Sequence, residues 1–255
     1  MDRRHFIKQS SAWMMVGGLL IPPALAATKV EWDEGFTVPE LELVGRTQPE
    51  LLGDGFNLRK KAAEAYDAMR AAALKEGIDL YSVSSYRSFD RQMGIWNRKY
   101  IEYRAEGDSP DAAIQRIIEY STLPGSSRHH WGTDLDISDQ AKPEPSDSPL
   151  IARHFEPGGI YEELYRWMLA HAHEYGFFMP YTNDPERKGF AYEPWHWSYA
   201  PLSIPLLIQY KTVSLKTHVE QAGVEGKEHL TDSFLQYYKK VWGFGINSIL
   251  IPPQS

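Results

Sequence analysis

The run SRHHWGTDLD, Ser127 to Asp136, places two imidazoles, a glycine and two carboxylates within ten residues. His129 and Asp136 are seven positions apart. On a continuous helix that offset is two turns, about 10 Å of rise, too long for both side chains to share one metal ion. A bend at Gly132 leading into a strand removes the difficulty. Thr133, Leu135 and Ile137 then face one way, and Asp134, Asp136 and Ser138 the other. One imidazole and one carboxylate leave a zinc site incomplete, because catalytic zinc takes three protein ligands and a water. Sixty residues beyond Asp136, in Glu193-Pro194-Trp195-His196-Trp197-Ser198-Tyr199, His196 completes a His/Asp/His set. Glu193 is a free carboxylate three residues before it. In a straight strand Glu193 and His196 would face opposite sides, so a turn near Pro194 is expected before a strand through Trp197 and Tyr199. Spacing alone discriminates weakly, since a His and an Asp at this separation also occur together in solvated loops.

The flanking residues add to it. Ser84-Ser85-Tyr86-Arg87-Ser88 with Gln92, then Ser-x-His-x-x-Gly-x-x-x-Asp, then Glu-x-x-His with Trp195 in its penultimate place, follow one another in this order. Together, over roughly residues 55–200, they resemble the zinc D-alanyl-D-alanine carboxypeptidases and dipeptidases of bacterial cell walls, including the VanY type. The resemblance implies an α+β fold of the Hedgehog/D,D-peptidase type, a small antiparallel sheet flanked by helices. It implies Zn2+ held by His129, Asp136 and His196, with Glu193 moving the proton and Arg87 stabilising the oxyanion. Ser127 and Gln92 would hold the peptide backbone or terminal carboxylate of a peptidoglycan stem peptide. Release of the terminal D-alanine from a pentapeptide is the favoured reaction. L,D-cleavage of a tetrapeptide, cutting of cross-links, or a non-catalytic zinc-bearing wall-binding module are the alternatives. The family usually has alanine where this chain has Asp134; on the strand argument that carboxylate faces the metal side, as partner to a ligand or as one half of a salt bridge.

Asp2-Arg3-Arg4 followed by the apolar run Ala12–Leu20 and the small-x-small signature Ala24-Leu25-Ala26 resembles a twin-arginine export signal over residues 1–26. The apolar run is far short of the ~20 residues a membrane span needs, and no later segment approaches it. The mature protein is therefore expected in the periplasm or elsewhere outside the cytoplasm, without a transmembrane segment. Its catalytic part is expected over 27–200, with a C-terminal extension over 201–255. Without residues 1–26 the chain has 24 basic and 33 acidic residues, a net charge of −9, which argues against a nucleic-acid partner. The chain has no cysteine, so any metal site must use nitrogen and oxygen.

Residues 27–56 read as an extended lead-in. Asn57 is expected to cap a helix burying Leu58, Ala62, Tyr66, Met69 and Ala73, stopped by Gly77. Leu80–Ser84 reads as a strand, and Ser88 and Ser109 as helix starts, the latter with Pro110 in the first turn. A helix burying Tyr161, Leu164, Tyr165, Met168 and Tyr175 ends at Gly176, with His171 and His173 on different faces and so not a ligand pair. His130 is expected to be a structural neighbour of His129. Beyond Pro201 one helix is expected, capped near Thr231 or Asp232 and carrying Phe234, Leu235, Tyr238, Val241 and Trp242.

Overall fold

The computed structural model describes residues 30–251, together with two short N-terminal strands, β1 (Met14–Val16) and β2 (Leu19–Ile21), which pair antiparallel. Apart from those strands, the signal expected over residues 1–26 lies outside the described residues.

Alternation of apolar and polar residues through Asp134–Asp139 builds the central strand of a four-stranded antiparallel sheet. Its strands are β3 (Leu80–Ser84), β4 (Asp134–Asp139), β5 (Phe177–Phe178) and β6 (His196–Tyr199), in the order β3-β4-β6-β5. Leu135 and Ile137 of β4, with Phe177 and Trp197, join the buried Tyr66 and Met69 of α2 (Lys60–Leu74) and Leu164 and Met168 of α5 (Glu162–His171). A second apolar cluster unites α3 (Phe89–Ala105), α4 (Pro110–Tyr120) and α6 (Ala200–Tyr210) through Trp96, Ile117, Ile204 and Leu207.

Ser88 and Ser109 cap α3 and α4 as their sequences require, accepting from the Arg91 and Ala112 amides. The cap expected at Asn57 is not formed. Leu58 is spent in a bridge to Leu52, the Asn57 amide donates to Ser85 Oγ at 2.9 Å, and α2 begins at Lys60. The lead-in is not wholly extended either, since α1 (Glu40–Leu43) interrupts it. Tyr175 lies in a 3-10 turn that follows α5.

Beyond Pro201 the chain forms more helix than expected: α6, α7 (Leu215–Glu220) and α8 (Asp232–Tyr238), the last capped by Thr231 and running into a π-helical turn, Lys239–Gly243. Pro205 lies inside α6, where its missing N–H leaves the Pro201 carbonyl without a helical partner. The Asp33 amide fills that place at 3.0 Å. Other bonds tie the same early segment to the late helices: the Val38 amide donates to Gln209 Oε1 at 3.1 Å, and His218 Nε2 lies 2.8 Å from Glu40 Oε1.

Candidate metal centre and cleft

Three pieces of backbone bring the chemistry together. Ser127 leads into a 3-10 turn, Arg128–Trp131, which Gly132 ends in the left-handed conformation at φ 65°. This is the bend needed to bring His129 back over the strand. A Cβ at Gly132 would lie 2.9 Å from Leu51 Cδ2 as well. Asp136 and His196 are then direct cross-strand partners on β4 and β6. The turn near Pro194 is present: the His196 amide donates to the Glu193 carbonyl at 3.1 Å, and β6 starts at His196.

One nitrogen or oxygen from each of His129, Asp136 and His196 falls within 4.8 Å of the others, and all three residues are buried. The second nitrogen of each imidazole is already engaged. His129 Nδ1 donates to the Ser85 carbonyl at 2.7 Å, which leaves Nε2, 3.4 Å from Asp136 Oδ2, for the centre. His196 Nε2 bonds Asp134 Oδ1 at 3.0 Å, which leaves Nδ1, 3.3 Å from both Asp136 Oδ1 and Glu193 Oε2. Asp136 Oδ1 is buried and has no hydrogen-bond donor among the described residues. A cation among these atoms would satisfy it, so the residues present fit a metal ion bound through nitrogen and oxygen.

Asp134 is fully buried, not solvated, and acts in both of the ways its position allows. It accepts from His196, and Arg128 Nε donates to it at 2.8 Å while Thr133 Oγ1 does so at 2.6 Å. Burial raises its pKa, but Arg128 and His196 outweigh that and hold it well below the carboxylate range. Burial likewise opposes a charge on His196, yet Asp134, Glu193 and Asp136 carry its pKa up to about 9. His130 is a structural neighbour: its Nδ1 donates to the Arg87 carbonyl at 2.6 Å, its Nε2 accepts from the Gly125 amide at 3.2 Å, and burial lowers its pKa to about 3. His171 bonds Glu174 at the surface.

A cleft of about 340 Å³ opens over the three ligand candidates, and Arg87, Ser127 and Glu193 line it. Gln92 does not. It is completely buried; its Oε1 accepts from Arg87 Nη1 at 2.8 Å and its Nε2 donates to the Thr122 carbonyl at 2.7 Å, so its amide orients Arg87. Thr122, Arg128 and Tyr181 are among the lining residues that were not singled out by sequence. Of these, Arg128 had the one sequence signal, a cation six positions before Asp134 in the same motif. Tyr181 packs edge-on against His196 with ring centroids 4.9 Å apart, and burial keeps its phenol protonated.

Among the described residues, four buried donors around this cleft have no partner: Arg87 Nε, Thr122 Oγ1, Ser127 Oγ and Arg128 Nη1. Such orphans are costly unless a ligand satisfies them.

Residues 55–202 match the family described as VanY, D-alanyl-D-alanine carboxypeptidase. A putative carboxypeptidase, YodJ, of Bacillus subtilis (strain 168) is 30% identical over 167 residues, 64% of this chain and 54% of the relative. A D-alanyl-D-alanine carboxypeptidase of Enterococcus faecalis (strain ATCC 700802 / V583) is 26% identical over 208 residues, 76% of this chain and 70% of the relative. The chain thus spans about half the length of the first relative and more than two thirds of the second. Among solved structures, a zinc(II) complex of a variant of the vancomycin-resistance D,D-pentapeptidase VanY is 23% identical, with a TM-score of 0.47, covering 71% of this chain and 88% of that one. The family match takes in all three metal-ligand candidates, Glu193 and Arg87, and on it this chain belongs to the VanY family of D-alanyl-D-alanine carboxypeptidases.

Proposed function

We propose that the protein is a zinc-dependent D,D-carboxypeptidase acting outside the cytoplasm, where it removes the terminal D-alanine from pentapeptide stems of peptidoglycan. The observation that carries this reading is the convergence of His129, Asp136 and His196 with one carboxylate, Glu193, left free beside them. A module that only binds cell wall has no use for that free acid.

Zinc bound by His129 Nε2, Asp136 and His196 Nδ1 would supply a Lewis acid that lowers the pKa of water and polarises a carbonyl. Glu193 takes the proton of the attacking water and returns one to the leaving amine. Arg87, held by Gln92 and by Ser84 Oγ at 3.1 Å, faces the negative charge that develops on the scissile carbonyl oxygen. The unpartnered donors Thr122, Ser127 and Arg128 favour a ligand ending in a carboxylate, which supports a carboxypeptidase over a cross-link endopeptidase.

Defined muropeptides incubated with the purified protein test the reading. Monomeric pentapeptide should lose the mass of one alanine. Loss only from tetrapeptide makes the protein an L,D-carboxypeptidase, and cleavage only of cross-linked dimers makes it an endopeptidase. Purified protein should carry about one zinc, and His129→Ala or His196→Ala should each abolish tight binding. Glu193→Gln should retain zinc while turnover falls about 10²- to 10⁴-fold. Export is tested by replacing Arg3 and Arg4 with Lys, which should hold precursor in the cytoplasm if the twin-arginine route is used.

A further inference from the structure

The cleft has two walls, and a segment beyond the family match grips both. One wall is the turn Leu123–Ser127, whose last residue presents Ser127 to the cleft. Tyr238 of α8 reaches it from outside the matched region. Its phenol oxygen accepts the Leu123 amide at 2.9 Å and lies 3.0 Å from Ser126 Oγ. Ser126 Oγ itself donates to the Leu123 carbonyl at 2.6 Å, so the phenol must donate to Ser126. The three bonds close a ring, and Tyr238 is 1% exposed. The opposite wall carries Tyr181, Phe190 and Glu193. There the Asn247 amide donates to the Pro180 carbonyl at 2.7 Å, Asn247 Nδ2 donates to the Met179 carbonyl at 3.1 Å, and Arg187 Nη1 donates to the Gly245 carbonyl at 3.1 Å. Between the two grips the chain is stiffened: Trp242 stacks on Tyr238 at 5.5 Å and donates through Nε1 to the Ile118 carbonyl at 2.8 Å.

We infer that residues 232–250 act as a clamp that sets the separation of the cleft walls, with Tyr238 and Asn247 as positioning residues for substrate binding. Neither touches the metal-ligand candidates. The inference rests on the proposed peptidase reading only for its kinetic test. A residue that only shapes the cleft should move KM and spare the chemical step.

The variants are Tyr238→Phe, which keeps the ring and removes one hydroxyl, and Asn247→Asp, which keeps the acceptor for the Ile249 amide and removes the donor to Met179. In the full-length zinc-loaded protein each should raise KM for a pentapeptide substrate about three- to tenfold, with kcat within about twofold and zinc content unchanged. The double variant should raise KM by less than the product of the two, because one clamp has already been released. Amide hydrogen exchange, which needs no turnover, should rise in both 122–127 and 179–191 for either variant. Faster exchange confined to the wall nearest the substitution, or a lowered melting temperature with KM unchanged, overturns the clamp. If the unaltered protein cleaves no muropeptide, the peptidase reading fails while exchange still decides the clamp. If Tyr238→Phe does not fold, Asn247→Asp decides alone, by exchange in 122–127.

Discussion

At Asp134 a single carboxylate accepts from Arg128, His196 and Thr133, and from Ser198 Oγ at 3.1 Å. An alanine here would leave His196 Nε2 to find another acceptor and Arg128 without a counter-ion. Arg128 is 4% exposed, so the cation and anion at these two positions belong together. Asp134→Asn should destabilise the metal-free fold by about 3 kcal/mol, read by urea denaturation. It should also weaken zinc binding about 10- to 100-fold, read by competition with a chelator, since the acceptor that orients a ligand imidazole loses its charge. Unchanged zinc affinity would detach Asp134 from the metal. At this scale the candidate centre was legible because Gly132, Asp136, Glu193 and His196 are tied by local geometry: a left-handed bend, a strand period and one turn. The bonds of Gln92 were not legible, because which way its amide faces depends on Thr122, thirty residues away.

Helix α3 and the turn that ends α1 separate two uses of glycine. Gly45 has φ 77°, and a Cβ there would lie 2.5 Å from His130 Nδ1 and 2.9 Å from the Phe89 amide that its own carbonyl accepts. Gly94, inside α3, would bring its Cβ near nothing. Gly45→Ala should therefore cost about 2–4 kcal/mol, while Gly94→Ala should stabilise by about 0.5–1 kcal/mol, both measured from denaturation midpoints. Elements whose ends carry their own chemistry were readable in advance: Ser88 and Ser109 cap, and Gly77 and Gly176 stop. Helix α6 was not, because Pro201 and Pro205 read locally as breakers. The first is tolerated in an opening turn, and the second becomes tolerable only once the Asp33 amide, far off in sequence, takes the carbonyl it leaves free. Asn57 failed in the opposite direction, a good cap displaced by the Leu52–Leu58 bridge.

Across the whole molecule, Val30, Val38 and Leu43 share one apolar cluster with Leu215, Leu235 and Leu250. Residues 201–251 should therefore unfold together with the rest, with near- and far-ultraviolet circular dichroism giving one coincident transition. Ending the chain at Tyr210 should leave protein that does not fold. Zinc at 100 times its dissociation constant should add about 2.7 kcal/mol to stability, and a chelator should return the melting temperature to its metal-free value. The bonds that join Asp33 to Pro201, Val38 to Gln209 and Glu40 to His218 also have a meaning in time. A ribosome adds about 5–20 residues per second, so Asp33 emerges roughly ten to thirty seconds before its partner exists. Through that interval the early segment can meet Arg59, Lys61 and Phe89 but not these three partners, and α6 and α7 are the helices that supply them. This part of the fold can close only after residues 201–218 have been made, so the early segment reaches its final place long after its own synthesis.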